Sequence, residues 1–156
     1  MSTAHIHTRT VPLGMRLPLL IALWAGLAVF LSVLPGHADD SADVAAARTV
    51  ITEQIEAFRR DDAPAAYAHA APAIKAKFRN PAVFLHVVRY GYPPVYRPTH
   101  YSFDPPARSE GRLLQPVRIE WQGGPPQTVL YSLSQQTDGT WKIEGVRMTR
   151  DDRVRA

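Results

Sequence analysis

Side chains able to do acid, base or metal chemistry are sparse in this chain and widely spaced. Beyond the first 38 residues stand three histidines, His69, His86 and His100, with gaps of 17 and 14 residues, and the whole chain has no cysteine. Metal sites built on one element space their ligands a few residues apart. These gaps do not, and the lack of cysteine excludes a thiolate site, a cysteine nucleophile and a disulfide framework. The expectation is no metal and no cofactor.

Asp61 and Asp62 are adjacent carboxylates placed before Ala63-Pro64. An acidic side chain there accepts the unpaired amide hydrogens of a following helix, so both are expected to act as caps. His86 shares a helical stretch with Phe84, Val87 and Val88 and points either along the core edge or into a cavity. With a tyrosine hydroxyl close by, His86 or Asp104 would form an acid–base pair.

The concentrated feature is the segment 90–101, which holds four of the six tyrosines (Tyr90, Tyr92, Tyr96 and Tyr101), three prolines (Pro93, Pro94 and Pro98) and Arg97. The prolines fix backbone angles and lower the entropy lost on ordering. A stiff loop presenting Tyr90, Tyr92, Tyr96 and Arg97 would line a pocket mouth or a partner surface. In the simpler alternative, the tyrosines pack a crossover from helices to sheet. Gln115 and Tyr131 fall on otherwise apolar strand faces, where a polar group must find a partner, so each is a candidate ligand contact or an internal hydrogen-bonding group.

These residues need elements to hold them. Val44, Ala47, Ile51, Ile55 and Phe58 are spaced by 3, 4, 4 and 3, one stripe of a helix over residues 41–60, with Arg48, Thr52, Glu56 and Arg59 facing elsewhere. Short helices follow, restarted by Pro64, Pro72 and Pro81, the last with Asn80 as its cap and Gly91 as its stop. From residue 100 the pattern alternates, weakly at Tyr101 and Phe103, then plainly at Leu113, Gln115, Val117, Ile119 and Trp121. Gly123-Gly124-Pro125-Pro126 turns the chain into Val129, Tyr131 and Leu133. Asp138-Gly139 turns it again into Trp141 and Ile143, and a bulge at Gly145 shifts the phase to Val146 and Met148. Helices first and an antiparallel sheet of about four strands afterwards is the α+β order, helices on one sheet face.

Residues 1–38 contain Arg9 and Arg16, no acidic side chain, an apolar run over 17–34, and then Pro35-Gly36-His37-Ala38. Basic, then apolar, then small is the order of a secretory signal, with cleavage expected after Ala38 and Met15 as an alternative start. The protein is expected to be periplasmic or secreted, touching a membrane only if the segment stays uncleaved as an anchor. The remaining 118 residues make one domain, large enough to bury roughly 65% of its unfolded surface. Loss of the segment lowers the formal charge from +4 to +2, which argues against a nucleic-acid partner.

The runs Ala57-Phe58-Arg59-Arg60-Asp61-Asp62, Tyr67, Ala71-Pro72, Gly91-Tyr92-Pro93-Pro94-Val95-Tyr96-Arg97-Pro98 and Asp138-Gly139-Thr140-Trp141-Lys142-Ile143 together resemble a bacterial family, domain of unknown function 4864, from about Val44 to Met148. The layout is also similar to the nuclear transport factor 2-like superfamily, whose cones host isomerases, dehydratases, ligand binders and association modules. That resemblance implies a cone-like shape and leaves the activity open.

The leading expectation is non-enzymatic binding of a small apolar or aromatic ligand, or of a protein partner, through Tyr90, Tyr92, Tyr96, Arg97 and Tyr131. The second is a cofactor-independent isomerase, dehydratase or hydrolase using a histidine or aspartate with a tyrosine. The third is a homodimerising module that pairs through an open sheet face near Trp121.

Overall fold

The computed structural model describes residues 36–149. The signal-like residues 1–35 and the tail 150–156 lie outside that range. The expected cleavage point after Ala38 falls within the first helix. Among the described residues, no helix is long and apolar enough to cross a membrane.

Helix α1 (Gly36–Arg59) lays its stripe of Ala47, Ile51, Ile55 and Phe58 into the core, all essentially inaccessible. It ends in a Schellman turn: Asp61 N–H donates to the Phe58 carbonyl (3.1 Å) and Asp62 N–H to the Ala57 carbonyl (2.9 Å). Asp61 occupies the left-handed position of that turn, at φ 57°. Helices α2 (Ala63–Ala68), α3 (Pro72–Phe78) and α4 (Pro81–Gly91) each start on a proline-bearing first turn, where the missing N–H costs nothing. Asp62 caps α2 through Ala65 N–H (3.0 Å), and Asn80 caps α4 through Ala82 N–H (2.7 Å).

Residues 91–98 differ from the expected loop. Proline 93 disfavours helical angles at Tyr92, so α4 stops and a one-turn helix α5 (Pro93–Tyr96) starts in a new direction. Its Pro94, Val95 and Tyr96 are buried. Amphipathic tyrosine rings favour this outcome, since burial of the ring leaves the hydroxyl near the surface.

The sheet runs β1 (His100–Phe103), β2 (Ala107–Ser109), β3 (Arg112–Trp121), β4 (Gly124–Gln135) and β5 (Trp141–Thr149), all antiparallel. Strands β1 and β2 both pair with β3, end to end, so the sheet is four strands wide. Leu113, Gln115, Val117 and Ile119 of β3 face the core with Val129, Tyr131 and Leu133 of β4 and Trp141 and Ile143 of β5. Gly139 supplies the positive φ (83°) that the turn into β5 requires. The outer β5 edge is partly covered: Ala71 N–H donates to the Ile143 carbonyl (2.8 Å) and Ile143 N–H to the His69 carbonyl (2.9 Å). A paired edge is a poor template for association with another strand.

Candidate functional site

An apolar cavity of about 360 Å³ lies between α1, α3, α4, the α4–α5 junction and β5. Phe58 and Gln54 of α1 form its inner wall, and Phe84 and Val88 of α4 a second. Ile74 and Phe78 of α3, Tyr92 and Val95 complete it. The aromatic wall is held by ring contacts around Phe84, whose centroid is 6.0 Å from Phe58, 5.9 Å from Phe78 and 5.6 Å from Tyr67.

The floor comes from a β-bulge. Ser132 pairs with Gly145 and Leu133 with Ile143, so Glu144 is the extra residue of β5. In a regular strand neighbouring residues face opposite sides, whereas here Glu144, Gly145 and Val146 all border the cavity. Gly145 pairs with Ser132, which alternates with the core-facing Tyr131 and Leu133, so Gly145 borders the cavity through its backbone. The phase shift visible in the sequence thus brings Val146 to the core-facing side, opposite Tyr131.

Polar groups at the cavity are few. Gln54 is buried and donates one amide N–H to the Ala66 carbonyl (3.1 Å), leaving its second N–H unused by that bond. The Glu144 carboxylate is held 2.8 Å from Arg112 Nε. Lys77 is exposed at the rim, its ammonium 5.3 Å from the Phe78 ring centroid, and it makes no ion pair among the described residues.

The five expected site residues do not share one site: Tyr96 and Arg97 meet, while Tyr90, Tyr92 and Tyr131 lie apart from them. Tyr92 borders the cavity. Tyr90 is 69% exposed and packs its ring against His86 (4.6 Å), on the outer face of α4 that also carries exposed Val83. Tyr96 is buried, with the guanidiniums of Arg89 (5.0 Å) and Arg97 (5.1 Å) over its ring. Its hydroxyl donates to Asp61, which also accepts from Arg89 (2.8 Å) and Arg97 (2.8 Å). Asp61 therefore does not cap α2 as expected. It sits at the end of α1, and the Tyr96 hydrogen bond, then Arg89 and Arg97, hold its carboxyl below the usual range. A carboxylate so neutralised is a weak base. Tyr131 is fully buried in β4, does not border the cavity, and its hydroxyl has no hydrogen-bond partner among the described residues. Burial pushes its ionisation well above the ordinary tyrosine value, with a smaller contribution from Tyr101.

His86 and Asp104, the acid–base candidates, also stand away from the cavity. The Asp104 carboxylate is 3.8 Å from Arg118. His69 lies 3.8 Å from Glu53 and is partly buried, and burial lowers its pKa against the opposing pull of Glu53. Trp121 covers Gly123, where any Cβ would come within 2.2 Å of the indole ring, and its Nε1 donates to the Pro125 carbonyl (3.2 Å). A second, more open depression joins Trp121 with Arg59, Tyr96, Arg97 and Pro98. Both of its guanidiniums are already engaged, Arg97 by Asp61 and Arg59 by Glu56 (2.6 Å) and the Pro98 carbonyl (2.9 Å). No cluster of three or more metal-ligating side chains occurs among the described residues.

Gln54, Lys77 and Arg48 did not stand out in the sequence as site residues. Gln54 was legible in principle, since it falls between Ile51, Ile55 and Phe58 on the buried side of α1. Lys77 looks like one charge of an ordinary solvated helix face.

Helices on one face of an antiparallel sheet, with an apolar cavity between the layers, define an α+β domain with a pocket. Residues 40–156 match the family described as a domain of unknown function (DUF4864), and the chain belongs to it. Neither the curated proteins nor the solved structures contain a match.

Proposed function

We propose that this domain binds a small apolar or aromatic molecule in the cavity over the β5 bulge. The observation that carries this reading is the cavity itself: about 360 Å³, walled by Phe58, Phe78, Phe84 and Val88 and floored by the bulged segment of β5. That volume is at the small end of the roughly 300–1,000 Å³ typical of ligand pockets. A layout of helices over a sheet, similar to the nuclear transport factor 2-like cones, is consistent with such a role. The basic–apolar–small order of residues 1–38 supports binding outside the cytoplasm, in the periplasm or after secretion. An acid–base enzyme draws less support, because His86 and Asp104 do not border the cavity and Asp61 is committed to two arginines.

The test uses the neutral fluorophore N-phenylnaphthylamine with the purified protein. Saturable, blue-shifted emission is expected at one site per chain. Val146→Phe enlarges a half-buried side chain that borders the cavity on the Tyr131 side of the sheet, so it should weaken the dye by about tenfold or more, a loss of about 1.4 kcal/mol, with an unchanged circular dichroism spectrum. Absence of saturable binding by the unsubstituted protein would remove the reading.

A further inference from the structure

We propose that the cavity selects an amphiphilic acid: a compact aromatic or branched apolar body inside, and a single carboxylate held at the rim by Lys77. This rests on the apolar-binding reading above and adds the charge of the ligand.

Charge complementarity at the rim favours the acid. Two residues charged at neutral pH border the cavity, Lys77 and Glu144. Glu144 is already matched by Arg112 at 2.8 Å, so it has little to offer a cationic ligand. Arg112 also reaches Glu110 at 3.4 Å, but Glu110 lies on the exposed turn before β3 and does not border the cavity. Lys77 has no carboxylate partner among the described residues, and it sits on the same α3 turn as Ile74 and Phe78, which wall the cavity. Its stem can lie along the apolar lining while its ammonium meets an anion at the mouth. Inside, the Gln54 amide retains an N–H for a second polar atom of the ligand, and the remaining lining is apolar or aromatic. A neutral hydrocarbon would leave Lys77 unused, and an amine would meet it with like charge.

Hydrocinnamate and hydrocinnamyl alcohol form a matched pair differing in the carboxylate. Titration calorimetry at neutral pH should show the acid bound about fivefold tighter than the alcohol, the scale of one rim ion pair. The ratio should fall to about one in Lys77→Gln and be retained in Lys77→Arg. Lys77 is exposed, so these variants are expected to fold, which circular dichroism checks. High salt should erode the preference for the acid. Equal binding of the two compounds, or a preference that survives Lys77→Gln, would overturn this assignment and leave apolar binding standing. Failure of both compounds to bind would remove both.

Discussion

Tyr131 points from β4 into the core, and its hydroxyl has no hydrogen-bond partner among the described residues. An unsatisfied buried polar group costs about 1–3 kcal/mol. Tyr131→Phe removes that group without opening a cavity, so the variant should be more stable by roughly 1 kcal/mol in urea unfolding. The pH dependence follows from the raised pKa. Stability that is complete below the unfolded tyrosine value of about 10 should fall as pH rises beyond it, because the unfolded chain ionises this group first. Tyr131→Phe should flatten that alkaline decline. A destabilised variant would mean that the hydroxyl has a partner after all. Asp61 illustrates the opposite case. Glycine is the usual occupant of its left-handed position, and the aspartate is explained by its side chain, which joins Tyr96, Arg89 and Arg97. The tyrosine-rich segment was legible as unusual. Which ring faces the core was not, because a tyrosine suits a wall, an interface or a surface equally well and packing decides.

At the scale of elements, the broken edge of the sheet explains a buried glutamine. Asp104 N–H donates to the Pro116 carbonyl (3.1 Å), but proline has no N–H to return the bond, so β1 and β2 part at this point. Gln115 repairs the gap: its Nε2 donates to the Asp104 carbonyl (2.6 Å) and its Oε1 accepts from Arg48 Nε (2.9 Å). Arg48, expected to face away from the core, is drawn between α1 and the sheet by this network and also donates to the Asp104 carbonyl (3.3 Å). Gln115→Leu should therefore cost about 2 kcal/mol in urea unfolding with an unchanged m-value, since it strands Arg48 Nε and leaves the Asp104 carbonyl with only the longer Arg48 bond. A loss below about 0.5 kcal/mol would show that water or Arg48 alone serves that carbonyl. The stripe of α1, the alternation of β3 to β5 and the bulge near Gly145 were legible because each is periodic within one segment. The α5 turn and the Arg48–Gln115–Asp104 network were not, because they depend on partners tens of residues away.

For the molecule as a whole, a cysteine-free domain relies on its core. Here that core is filled around Tyr131, Ile51 and Ile55 but stays open beside Phe58 and Phe84. The α+β order was readable from the succession of the two periodicities. The cavity was not, because it lies between layers and its lining comes from helices and a strand far apart in the chain. The most direct test is a methyl-resolved NMR titration with hydrocinnamyl alcohol, whose neutrality makes the outcome independent of Lys77. The cavity account predicts saturable shifts at the methyl groups of Ile74, Val88, Val95 and Val146, and none at Val117 or Val129 on the distant part of the sheet. Shifts that are absent, or confined to the exposed Val83 face of α4, would contradict it.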